Sequence, residues 1–190
     1  MPDIARDEAF ALLKEYNSNP GLINHALAVE GVMRHFAGLY DADPGTWGIT
    51  GLLHDLDYEK YPDEHCKKTE EILEEKGYPA EIIRAAVSHG YGICTNIKPE
   101  TDMEKVLYAI DELTGLITAT VYVRPSRSVL DLSVKSVRKK WKQKGFSAGV
   151  NRELIEKGAG DLGMELDDLI RETIEGMKTV ASEIGLEGSE

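Results

Sequence analysis

Apolar positions recur at helical spacing along nearly the whole chain. Ala9, Leu12, Leu13 and Tyr16 predict an amphipathic first helix that stops before Asn17-Ser18-Asn19-Pro20. Leu22, His25, Val29, Val32, Met33 and Phe36 mark the inward face of a second helix, over about residues 22–40. Asp43-Pro44-Gly45-Thr46 breaks it, with Thr46 placed to cap a short apolar helix over about 47–53. A polar, aromatic loop runs through Pro62, and helices follow over about 63–76 and 79–88, separated by Gly77. Pro79 suits the first position of the latter, where its missing N–H goes unmissed. A loop rich in Gly, Thr and Asn leads to a helix carrying Asp111, and three further helical patterns span about 129–144, 151–161 and 167–184. No strand-like alternation is sustained, so the expected fold is all-α. No repeat, low-complexity tract or linker divides residues 1–190, and a single domain is expected, its last residues 186–190 frayed.

Composition narrows the function classes. The chain's 190 residues can bury a sizeable core, and 42% hydrophobic with 29% charged residues describes an ordinary globule. No apolar run approaches the roughly 20 residues of a membrane span, and MPDIARDEAF lacks the basic region and apolar core of a secretory signal. Two cysteines give no disulfide framework, so a cytoplasmic, reducing setting is expected. A net charge of -12 opposes binding to nucleic-acid polymers.

Candidate chemistry concentrates in the histidines. Four of the five, His25, His54, His65 and His89, form one ordered pattern with Asp55 and Asp111. Imidazole and carboxylate are ligand types shared by Zn, Fe, Mn and Co sites. The adjacent His54-Asp55 pair can aim two side chains at one ion, and the carboxylate has a second oxygen for another. Six such groups are too many for one tetrahedral ion and suit two ions sharing the aspartate. The expectation is a metal centre, dinuclear, with the identity of the ions (Fe, Mn, Co, Ni, Zn or Mg) open. His35 lies ten residues past His25, about 80° away on a helix, and reads as a core histidine.

At these residues the chain resembles the HD superfamily of metal-dependent phosphohydrolases, named for the His-Asp doublet. The resemblance rests on His25 in NHALAVEGVMRHF, His54-Asp55 in GLLHDLDYEKYP and Asp111 in LYAIDELTGLITA, with His65 and His89 where dinuclear members insert two further histidines. It covers about residues 20–120; a C-terminal extension over about 125–185 looks like the tail of an uncharacterised branch of predicted hydrolases. The resemblance implies a helical bundle in which His25, His54, Asp55 and Asp111 bind a first ion. Asp55 would bridge to a second ion held by His65 and His89. It further implies hydrolysis of a small phosphate ester or nucleotide by a metal-activated water. The same ligand set would serve a mixed-valent di-iron oxygenase, and a non-catalytic metal- or nucleotide-binding domain is the third reading. Gly77-Tyr78-Pro79 matches a motif of the cyclic-dinucleotide phosphodiesterase branch, but it precedes His89 and lacks that branch's acidic, glycine-containing lead. The match is coincidence.

Other residues carry weaker signals. Asp57 and Glu59 follow the doublet and could orient ligands or protonate a leaving group; the alternative is a solvated loop. Tyr58, Tyr61 and Tyr91 could wall a pocket or pack loops. Cys66 and Cys94 could join His65 and His89 in a structural zinc site, but residues 65 and 66 would diverge by about 100° if both were helical. Buried small hydrophobes is the expected role of the two cysteines. Residues 132–145 carry Lys135, Arg138, Lys139, Lys140, Lys142 and Lys144 with no acid after Asp131. Lys135, Arg138 and Lys142 share a helical face, and Arg124 and Arg127 lie upstream. Arg124, Lys135, Arg138 and Lys142 are candidate contacts for a small anionic substrate, against the alternative of a solvated face.

Overall fold

The computed structural model describes residues 5–188 and contains, among them, nine α-helices and no strand. They are α1 (Arg6–Tyr16), α2 (Pro20–Leu39), α3 (Pro44–Leu53), α4 (Lys67–Glu75), α5 (Ala80–Ser88), α6 (Asp102–Tyr122), α7 (Val134–Trp141), α8 (Arg152–Asp161) and α9 (Leu166–Lys178). The two longest, α2 and α6, pack against each other: α3 and α9 lie on α2; α5, α7, α8 and α9 lie on α6; and α1 and α4 pack outside them, on α3 and α5 respectively.

Local chemistry fixes the ends. Asn19 caps α2 by accepting from Gly21 N at 2.8 Å, with Pro20 at the first helical position. Asp43, rather than the expected Thr46, caps α3: its Oδ2 accepts from both the amide and the hydroxyl of Thr46 at 2.7 Å. Thr101 and Glu104 form a capping box on α6. Seven of the ten α3 residues are buried. The helix reaches α2 this closely because Gly51 has no side chain; a Cβ there would stand 3.0 Å from Val29 O. Gly176 does the same where α9 crosses α2, since a Cβ would lie 2.6 Å from Val32 Cα.

Further expectations need correction. The helix expected over about 129–144 forms only over Val134–Trp141, capped by Ser133. The helix expected from residue 63 is interrupted: a single 3-10 turn at Pro62–Glu64 is followed by His65 with ψ 143 and Cys66 with φ 68, and α4 starts only at Lys67. Pro79 precedes α5 rather than opening it. The last residues are not frayed as far as Gly188. Leu186 is buried, and its carbonyl accepts from Val129 N at 2.8 Å beside an isolated bridge between Ser128 and Glu187. Ser189 and Glu190 lie outside the described residues.

Candidate metal centre

The apolar helix α3 delivers the His-Asp doublet into the middle of the bundle. His54 is fully buried, and its Nδ1 donates to Gly51 O at 2.7 Å. That bond fixes the tautomer, because a carbonyl can only accept. The other ring nitrogen, Nε2, is buried with no hydrogen-bond partner. It faces Asp55 Oδ2 at 3.3 Å and Asp111 Oδ1 at 3.4 Å. His25, projecting from α2, puts Nε2 2.9 Å from the same Asp111 oxygen and 3.9 Å from Asp55 Oδ2. A buried lone pair between two carboxylates is repulsive unless a cation stands there. These four side chains offer ligand atoms within 4.8 Å of one another, so they fit a divalent ion in both donor type and spacing.

Asp55 turns its second oxygen the other way. Oδ1 lies 3.4 Å from His65 Nε2 and 3.3 Å from His89 Nε2. His89 ends α5, and its Nδ1 donates to Ala86 O. His65 sits in the break before α4, and its Nδ1 donates to Asp57 Oδ1 at 2.7 Å. Asp57 is fully buried, and its other oxygen accepts from Thr69 N at 2.8 Å in the first turn of α4. Cys66, the residue before that helix, makes no side-chain cap, so Asp57 supplies the missing acceptor from 12 residues away and holds His65 at the same time. All three histidines of known Nδ1 partner thus present Nε2 to a carboxylate of the cluster.

The charges are mutually dependent. Burial opposes a charged His54, yet Asp55 and Asp111 outweigh it and hold its pKa well above the usual imidazole value. His89 is likewise raised against its burial, chiefly by its bond to Asp55. Burial works against the ionised carboxylates too, but His54 and its fellow histidines keep Asp55 and Asp111 well below the usual carboxylate range. Without a metal ion the cluster therefore carries protons where the ion would stand.

The two thiols adjoin this second half. Cys66 Sγ and Cys94 Sγ are 2.8 Å apart, and any side chain at Gly90 would strike both. His65, Cys66 and His89 also offer ligand atoms within 4.8 Å of one another. Residues 65 and 66 are not helical, so the divergence expected between them does not arise. Cys66 is buried as expected but Cys94 is exposed; desolvation still raises both thiols, which keeps them neutral, and both histidine Nε2 atoms face Asp55.

A cleft of about 350 Å³ opens over the centre, reaching His25, Asp55, His65, His89 and Asp111. Tyr58 stands edge-on to His65, with ring centroids 5.2 Å apart, and Leu22, Ile93 and Leu154 supply apolar wall. Glu112 and Gly115 complete the α6 side; neither stands out in the sequence, since only the position of Asp111 on the helix turns them toward the cleft. The structure does not bring Glu59 here: its carboxylate accepts from Ser18 N, Ser18 Oγ and Asn19 N, tying the turn before α2. The expected cationic contacts also lie elsewhere. Arg124 pairs with Asp131 and Arg138 with Asp167, Lys135 and Lys142 are exposed, and no lysine or arginine is among the residues lining the cleft. Tyr61 is exposed, and Tyr91 stacks near Tyr108. His35 pairs with Glu172 of α9 at 2.8 Å.

Residues 22–118 match the family model of the HD domain. The chain belongs to the HD-domain family. All six clustered ligand candidates fall within the matched segment of this HD domain, and α7, α8 and α9 lie beyond it. Comparisons with curated proteins and with solved structures found no match. No helix among the described residues is long and apolar enough to cross a membrane.

Proposed function

We propose that this HD-domain protein is a metal-dependent phosphohydrolase acting on a small phosphate ester or nucleotide, with two divalent ions in the cluster. The observation that carries the reading is the division of labour at Asp55. One oxygen faces His25 and His54, where Asp111 joins them, and the other faces His65 and His89. One carboxylate thus serves two neighbouring half-sites. Bound divalent ions would supply an activated water for attack on phosphorus and neutralise charge gathering on the phosphoryl oxygens.

The protein's own residues do the remaining work. Gly51 O, Asp57 and Ala86 O fix three imidazoles with Nε2 free to ligate. Leu22, Ile93 and Leu154 limit the water around the reacting group. With no lysine or arginine in the lining, only ions held at the centre would meet the substrate's charge, which favours a substrate with few phosphates.

The test is anaerobic purification with metal analysis, then a screen of phosphate esters after reloading with Mn, Co, Ni, Mg, Zn or Fe. Phosphate release that disappears in His54→Ala and Asp55→Ala is the expected result. Two irons with oxygen-dependent turnover and no phosphate release would overturn the hydrolase in favour of an oxygenase.

A further inference from the structure

Two cavities meet at Gly115. This residue lies on α6 one turn beyond Asp111 and belongs to the walls of both the cleft over the centre and a second cavity of about 160 Å³. His25 is the other wall they share. The second cavity is bounded further by Asn24, Thr118, Tyr122, Ile184 and Leu186, and no acidic, lysine or arginine side chain lines it.

The protein's own packing gives no reason for glycine at 115. Its φ is not positive, and an added Cβ would meet no atom within 4 Å. Glycine weakens a helix interior relative to alanine. Elsewhere in the helices Gly31, Gly51, Gly158 and Gly176 stand where a Cβ would collide with a neighbour. Gly38 and Gly160 are as open as Gly115, but they are exposed and next to last in their helices. Gly115 lies inside a 21-residue helix and lines both cavities.

We infer that the gap over Gly115 is occupied by substrate. The phosphate lies at the metal centre, and the organic group passes over Gly115 into the second cavity. A cavity of roughly 150 Å³ holds a benzene ring, so this one takes a single ring. Ile184 and Leu186 supply an apolar wall, while Asn24 and Thr118 offer hydrogen bonds to a hydroxyl. The substrate class is therefore a phosphate monoester of an uncharged, ring-sized alcohol. This assignment rests on the hydrolase reading for its phosphate, but the ring subsite can be tested without it.

An added Cβ at Gly115 meets no atom within 4 Å, so Gly115→Leu projects a side chain into the gap, and Gly38→Leu makes the same change on the exposed surface of α2 as a control. Methyl phosphate and cyclohexyl phosphate carry the same charge and differ only in the ring. The ratio of kcat/KM for cyclohexyl over methyl phosphate should fall about tenfold or more in Gly115→Leu, since a single methylene in an apolar pocket is worth about that much. Gly38→Leu should keep the wild-type ratio. Independently of turnover, titrating the metal-free protein with cyclohexanol should shift the Ile184 methyl resonance in wild type and Gly38→Leu but not in Gly115→Leu. If neither ester is hydrolysed with any ion, the hydrolase reading fails and the cyclohexanol titration alone decides the subsite. A wild-type ratio in Gly115→Leu, or an Ile184 shift that survives there, overturns the subsite.

Discussion

Asp57 does two jobs with one carboxylate, and both depend on its complete burial. One oxygen fixes the His65 ring, and the other accepts the Thr69 amide at the start of α4. Removing a partner that orients a metal ligand typically costs about 10–100-fold in metal affinity. Asp57→Ala should therefore weaken the half-site of His65 and His89 by about that factor. The half-site of His25, His54 and Asp111 should hold its ion, because His54 takes its orientation from Gly51 O instead. Calorimetric metal titration separates these outcomes; equal weakening of both half-sites, or of neither, contradicts the assignment. The clustering of the ligand candidates was legible in the sequence because histidine is scarce and four of the five fall into one order with Asp55 and Asp111. Asp57 could be singled out only as a candidate. Its role depends on His65 leaving the helix, which no local pattern around Asp57 records.

Among the elements, helix interiors follow from sequence and helix ends do not. Burial imposes the 3.6-residue period directly, so the inward faces of α1 and α2 appear in the spacing of their apolar residues. Ends are decided by single acceptors. Asp43 outcompetes Thr46 at α3, and α4 starts at an amide capped from 12 residues upstream. The C-terminal segment fails in the same way: a short, mostly polar tail with one leucine after a glycine looks frayed, yet Leu186 is buried and its carbonyl accepts from Val129 N. Leu186→Ala should lower unfolding stability by about 2 kcal/mol or more, as for other buried leucines. A truly frayed end would lose less than about 0.5 kcal/mol. Chemical denaturation of the two proteins distinguishes these values. The same segment walls the second cavity, a contact that no reading of residues 20–120 alone could place.

Over the whole molecule, an excess of negative charge surrounds a buried cluster whose carboxylates and imidazoles stabilise one another. The raised pKa values of His54 and His89 contribute stability that is complete below about pH 6.5 and is lost as pH rises through the folded values. The depressed values of Asp55 and Asp111 contribute above about pH 3.8 and are lost only as pH falls through theirs. The chelator-treated protein should therefore lose Tm as pH rises above about 6.5. A divalent ion competes with those protons, so the Tm difference between loaded and metal-free protein should widen over the same range. Parallel Tm curves would place the ion elsewhere. The central claim is that Asp55 joins two metal half-sites, and metal content after reconstitution and desalting tests it most directly. Wild type should retain two ions per chain, His89→Ala one, and Asp55→Ala none, with helicity intact in all three. One ion in both wild type and His89→Ala, or two retained in Asp55→Ala, would contradict it.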